Sequence, residues 1–139
     1  MLYHCIKTTI QERRVSAVMG WQFNSKEPVF LQIADRLRLG ILRGDYGSPD
    51  TQFPTVRALA EASGANPNTV QRALAVLEEE GLLCTKGTVG RFVTDNTQTL
   101  QTAAESARRE AVRKWLAEAK ELGISAKTLI QYIQEEETT

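Results

Sequence analysis

The stretch SGANPNTVQRALAVLEEEGL, residues 63–82, decides the fold. It crowds Gly64, Asn66, Pro67 and Asn68 together, then settles into helical spacing. Asn66 suits an N-cap, because its side-chain oxygen can accept from a backbone N–H that the first turn leaves orphaned. Pro67 follows at the first helical position, where a missing N–H costs nothing. Val70, Leu74 and Leu77 then recur on one face, and Gly81 ends the run. The spacing predicts a helix whose leading end presents Asn68, Thr69 and Gln71.

The sequence just before it supplies a partner. In FPTVRALA, residues 53–60, Thr55 can cap a shorter helix whose inner side is Val56, Leu59 and Ala60. Gly64 marks a sharp exit. Two helices joined by a short Gly-bearing turn make a helix-turn-helix unit. In such a unit Ala60 has to be small where the second helix crosses, and Val70 fills the angle between the two. Further back, Pro28 opens a helix striped by Phe30, Ile33, Ala34, Leu37 and Ile41, which Gly44 stops. GDYGSPD, residues 44–50, is turn chemistry. Ahead of Pro28, Trp21 and Phe23 alternate with polar residues as a short extended arm.

Downstream, LLCT and RFV read as two short strands joined by KGTVG, residues 86–90, with Cys84 directed into the core. Glu78, Glu79 and Glu80 read as the solvated end of the helix before them. The order helix, helix-turn-helix, hairpin describes a winged helix-turn-helix.

Asp95-Asn96-Thr97 marks a boundary. A long helix is expected from about Thr102 to Leu122, with Ala104, Ala107, Ala111, Trp115, Ala119 and Leu122 on its inner face and Val112 and Leu116 beside Trp115. Gly123 ends it. Ser125 caps a last helix, where Ile124 and Leu129 occupy the positions of a hydrophobic staple and Ile133 lies one turn on. EEETT is expected to be solvated. Two helices alone cannot bury both sides. Pairing of two chains through Ala104, Ala107, Ala111, Trp115, Leu116, Ala119, Leu122, Leu129 and Ile133 would complete a four-helix unit. The alternative is a hairpin folded back on its own winged domain.

Composition is compatible with this picture. The chain has 139 residues, 42% hydrophobic and 24% charged, enough for a packed core. Lys plus Arg total 17 and Asp plus Glu total 17, a balance that leaves room for a local basic face. Cys5 and Cys84 form no disulfide framework, which suits a reducing cytoplasm. The first residues lack the pattern of a signal peptide, and no apolar run approaches the ~18 residues of a membrane span. His4 is the one histidine. His4-Cys5 with Cys84 does not have zinc-ligand spacing, no Gly-rich phosphate loop joins a strand to a helix, and no nucleophile–base pair can be assembled. No metal, cofactor or enzymatic activity is expected.

Two crossed helices leave an end free to enter a groove. Asn66, Asn68, Thr69 and Gln71 crowd that end. Asn and Gln can bond both edge atoms of adenine, and Thr can meet a thymine methyl. The helix N-terminus itself favours phosphate. Arg57 is at the second position of its helix, poor for a cation by the macrodipole argument, which suggests either an external phosphate or an ion pair with Glu61. Lys86 and Arg91 flank the hairpin, where they could lie along the DNA backbone or remain solvated.

These blocks carry a resemblance. PVFLQIADRL, FPTVRALA, ANPNTVQRALAVLEEEGLL and VGRFV, spanning roughly residues 21–94, resemble the winged helix-turn-helix domain of the GntR family of bacterial transcription regulators. NPNTVQRA with the short helical C-terminal region is similar to the YtrA subfamily. That resemblance implies no large ligand-binding domain and dimerisation through C-terminal helices. It also implies DNA contacts at Arg57, at Asn66, Asn68, Thr69 and Gln71, and in the wing from Lys86 to Gly90. Many members have Arg where this chain has Pro67 and Gln71, which removes two cations from the groove. Thr88 stands where Gly is frequent. Residues 1–18 have no counterpart, and Met19 is a candidate natural start.

The expectation is therefore a mainly α chain with a small β-hairpin. It comprises a flexible tail over 1–18, a winged helix-turn-helix domain over 19–95 and a helical dimerisation region over 96–139. The DNA-binding set is Thr55, Arg57, Asn66, Asn68, Thr69, Gln71, Arg72, Lys86, Thr88, Gly90 and Arg91. The function expected is a cytoplasmic homodimeric regulator of double-stranded DNA, a repressor since no surface for recruiting polymerase is evident. Any small-molecule effector is unidentified. The competing expectation is a winged-helix protein-interaction module.

Overall fold

The computed structural model describes Val18 and residues 20–139. The tail ahead of Val18 and Met19 lie outside the described residues. Val18 itself, expected in the flexible tail, is buried.

Five helices and one hairpin are described. They are α1 (Val29–Arg43), α2 (Val56–Ser63), α3 (Pro67–Glu79), β1 (Leu83–Lys86), β2 (Gly90–Val93), α4 (Thr97–Glu121) and α5 (Ala126–Glu137). The chain divides into two compact units, one ending at Leu100 and one covering Gln101–Thr139.

In the first unit, α3 packs against both α1 and α2. Ile33, Ala34, Leu37 and Ile41 of α1 meet a core that includes Val70, Ala73, Leu74 and Leu77 of α3. Each of these side chains is nearly fully buried, which at ~1.5–3 kcal/mol per large apolar side chain makes this face the main source of cohesion. Pro28 stands one residue ahead of α1, in the cap position, and not inside the first turn. Its ψ of 136° is extended, so the helix begins at Val29. Gly44 closes α1 at φ 81°, a left-handed conformation that glycine adopts without strain. Tyr46 after the turn is buried and stacks on Phe53 at 4.7 Å between centroids, and burial pushes its phenol pKa up to about 12.

The arm is held to α1 by one buried amide. Gln32 Nε2 donates to the carbonyls of Asn24 (2.9 Å) and Glu27 (2.8 Å), and its Oε1 accepts from Asn24 N–H (3.0 Å). Outside it, Trp21 and Phe23 meet edge to face at 6.4 Å, and the Arg36 guanidinium lies 5.4 and 5.0 Å from their ring centres.

The caps follow local rules. Thr55 Oγ1 accepts from Ala58 N–H (3.1 Å), Asn66 Oδ1 from Asn68 N–H (2.8 Å) and Ser125 Oγ from Thr128 N–H (3.2 Å). α4, however, begins at Thr97, five residues before the expected start near Thr102. Asn96 is the reason. Its Oδ1 accepts from Thr99 N–H (3.1 Å), so the boundary residue is itself a cap.

The hairpin is antiparallel, with Leu83 opposite Val93, Cys84 opposite Phe92, Thr85 opposite Arg91 and Lys86 opposite Gly90. A further rung lies outside it. Gln52 bridges to Phe92, and Phe53 N–H donates to the Arg91 carbonyl at 2.7 Å. Cys84, expected in the core, is only half-buried, and its thiol donates to the Phe92 carbonyl at 3.6 Å.

In the second unit, Ala119 is the one buried residue of α4, and Ile124 N–H donates to its carbonyl (2.9 Å) at the turn into α5. Ile124 and Leu129, at the two staple positions, are half-buried. α5 runs on through Glu135, Glu136 and Glu137, so most of the terminal acidic run is helical as well as exposed.

Candidate nucleic-acid interface

The leading end of α3 is built by its cap. Asn66 Oδ1 is committed to Asn68 N–H, which fixes the first turn and leaves Asn68 and Gln71 exposed and Thr69 half-buried. Asn66 therefore serves the backbone with its oxygen, and only its amide NH2 faces outward unclaimed by that bond. Arg72 is exposed as a residue, yet its guanidinium lies 4.0 Å from the Phe30 ring centre on α1. The stacking holds a cation beside the helix end without neutralising it.

Thr55 uses its oxygen to cap α2. Arg57 in the first turn of α2 pairs with Glu61 at 3.2 Å, with side chains 89% and 70% exposed. So open a pair contributes about 0–1 kcal/mol and is readily exchanged for a phosphate.

The wing presents Lys86, Thr88 and Val89 to solvent, Val89 at 65% exposure. The Lys86 ammonium lies 4.9 Å from the Phe92 ring centre. Gly90 adopts φ +129°, and a Cβ there would come 2.6 Å from Gln52 Nε2. Arg91 is drawn inward. Its Nε donates to Glu78 Oε1 at 2.6 Å, and Thr85 Oγ1 donates to the same oxygen at 2.8 Å. Burial alone would raise the Glu78 carboxyl, but the Thr85 hydroxyl and the Arg91 guanidinium outweigh it and hold the pKa below the ordinary carboxylate value.

Glu78 and Glu80 are thus not simply solvated. Glu80 receives Arg38 Nε at 2.8 Å, while Arg38 also reaches Asp35 at 2.7 Å. The hydrogen bond to Glu80 is the main reason the Arg38 pKa is raised. These acids tie α3 to the wing and to α1. Sequence reasoning missed them, and missed Gln52 and Val89. An unusual run of three acids against nearby basic residues was the one signal for the first pair.

In the second unit, Ala104, Ala107, Ala111, Leu116 and Leu129 are half-buried and Ala119 is buried. Trp115 (57%), Leu122 (79%) and Ile133 (44%) are exposed, as are Val112, Ile130 and Tyr132.

This arrangement of caps, crossed helices and braced wing can be compared with known proteins. The profile described as "Bacterial regulatory proteins, gntR family" matches residues 30–93. The "HTH-type transcriptional repressor YtrA" of Bacillus subtilis (strain 168) is 30% identical over 112 residues, covering 80% of this chain and 85% of that protein. The chain belongs to the GntR family. Among solved structures, a GntR family transcriptional regulator from Listeria monocytogenes superposes with a TM-score of 0.72 at 26% identity, over 81% of this chain and 98% of that one. The AraR DNA-binding domain in complex with operator ORX1 superposes with a TM-score of 0.50 at 25% identity, over 55% of this chain and 96% of that one.

As a GntR-family member the chain is a DNA-binding transcription regulator and not an enzyme. Its fold is the winged helix-turn-helix with a largely helical remainder, and its relatives include YtrA-type regulators. Among the described residues no group of three metal-ligating side chains gathers, and no helix is long and apolar enough to cross a membrane.

Proposed function

We propose that the protein is a sequence-specific repressor that binds a two-fold symmetric operator as a homodimer in the cytoplasm. Asn68, Thr69 and Gln71 read base edges. Arg57, Arg72 and Lys86 supply cations to the backbone, Thr88 and Gly90 bring the wing against it, and Arg91 acts from behind the wing through Glu78. Thr55 and Asn66 hold the two helix ends in place. The observation that carries this is the exposure of Asn68 and Gln71 on a helix end whose first turn is already capped. Their amides are not consumed by the cap.

In this proposal residues 19–95 bind DNA and residues 96–139 pair the chains. The support for pairing is the apolar surface left open on the second unit, with Trp115, Leu122, Val112, Ile130 and Ile133 all exposed. Apolar patches of this kind on soluble proteins mark association surfaces. Two recognition helices also read two half-sites spaced by whole turns of roughly 34 Å, where one helix reads only a few base pairs. Repression is the activity named for the Bacillus subtilis relative YtrA, and occupancy of a promoter requires no further domain. A role as a protein-interaction module is disfavoured by the polar leading edge of α3, since an interface core should be more aromatic.

The test is selection of duplexes from a random pool by the full chain, followed by binding of Asn68→Ala. A preferred duplex with inverted half-sites, and its loss of preference in the variant, is the expected outcome. Equal affinity for all duplexes would refute sequence-specific binding.

A further inference from the structure

We propose that Gln52, in the loop between α1 and α2, is a positioning residue for the wing: its amide holds the Val89 carbonyl and sets where Thr88 and Val89 meet the duplex. The proposal rests on the DNA-binding site described above and adds a residue to it that itself reads no base.

Three contacts converge on Gln52 and its neighbour. Gln52 Nε2 donates to the Val89 carbonyl at 3.0 Å. The Gln52 backbone bridges to Phe92, and Phe53 N–H donates to the Arg91 carbonyl at 2.7 Å. These reach both the tip of the hairpin and its returning strand. The base of the clamp is rigid, because Phe53 is buried against Tyr46 and Pro54 keeps Phe53 extended.

The wing is shaped to receive this side chain. A two-stranded hairpin alone is only marginally ordered in water. Here its return passes through Gly90 at φ +129°, with no Cβ, and the space a Cβ would fill belongs to the Gln52 amide 2.6 Å away. One pair back from the turn, Glu78 holds the side chains of Thr85 and Arg91. The tip residues Thr88 and Val89 are exposed, and Val89 N–H donates only within the turn, to the Lys86 carbonyl at 3.0 Å, so the Val89 carbonyl is where the tip can be aimed from outside the hairpin. Holding it fixed in the free protein removes an ordering cost from DNA binding.

The experiment is a double-mutant cycle on the full chain, read as affinity for a duplex selected from a random pool by the unmutated protein. Gln52→Met keeps the side-chain length and removes the amide. It is expected to weaken binding about fivefold, the scale of one neutral hydrogen bond, without moving the thermal midpoint enough to unfold the protein. The tip variant Thr88→Ala/Val89→Ala is expected to weaken binding similarly in the unmutated background and by little once Gln52→Met is present. Asn68→Ala is expected to cost the same in both backgrounds. Additive effects of Gln52→Met and the tip variant would overturn the positioning role, as would unchanged affinity in Gln52→Met. If Asn68→Ala costs nothing in either background, the α3 site itself is wrong. Should Gln52→Met fold poorly, Gly90→Ala, which drives a Cβ into the same amide, must show the same coupling to the tip or the proposal fails.

Discussion

Arg91 of β2 donates to Glu78 of α3 at 2.6 Å, and this bond helps tie the wing to the last turn of α3. The two side chains are only 22% and 33% exposed, and Thr85 adds a second donor to the same carboxylate oxygen. The wing and the last turn of α3 are therefore braced together, and in the proposed complex they meet the DNA as one surface.

Glu78→Gln should lower stability by about 1 kcal/mol, since a partly buried charge-assisted bond is weakened and not abolished. The pH dependence follows from the sign of the shift. The folded carboxyl titrates below its ordinary value of 4.5, so its stabilising contribution is complete at neutral pH and is lost as pH falls from that value through the folded pKa. Thermal melts at about pH 7 and about pH 3 should show the variant's deficit shrinking in acid. A deficit that grows on acidification would contradict the pairing.

Gln32→Leu should release the arm. Three hydrogen bonds to Asn24 and Glu27 disappear and their backbone partners are left to water or to nothing. The expected cost is about 1–3 kcal/mol, with faster amide exchange at Asn24 and faster proteolysis between residues 20 and 28. Unchanged exchange at Asn24 would show that the stack of Arg36 on Trp21 and Phe23 suffices.

Arg57→Ala separates phosphate binding from structure. Its pair with Glu61 is exposed, so the thermal midpoint should barely move. Binding to every duplex should weaken, and the slope of log affinity against log salt should fall by about one. An unchanged slope would leave Arg57 with its ion pair alone.

Trp115→Ala addresses the open face of the second unit. Trp115 is 57% exposed, so its loss should cost the isolated chain little. In the proposed dimer it is an anchor, and truncating such a residue costs about 2 kcal/mol or more of association. Sedimentation should show the monomer–dimer transition displaced to higher concentration. A monomer at all micromolar concentrations in both proteins would eliminate the pairing.

What the chain revealed of itself before folding depends on range along the sequence. Caps at Thr55, Asn66 and Ser125 are decided within three residues, and all three were legible. The stripes of α1 and α3 were legible for the same reason. Asn96 was within reach of the same rule, but the polar run Thr97–Thr99 hid a first turn that has no apolar stripe. The rung from Gln52 to Phe92, the pair from Arg38 to Glu80 and the bond from Gln52 to Val89 each join distant positions. No local period signals them, because tertiary packing selects the partner. At the site, the exposed amides of α3 were legible, while the devices that aim the wing were not.

The most direct measurement is the affinity of Asn68→Ala and Gln71→Ala for the selected duplex and for a scrambled one, at the same salt. Each variant is predicted to lose about 1–3 kcal/mol on the selected duplex and almost nothing on the scrambled one. Both variants keeping the full preference of the unmutated protein would contradict the claim that the leading edge of α3 reads the bases.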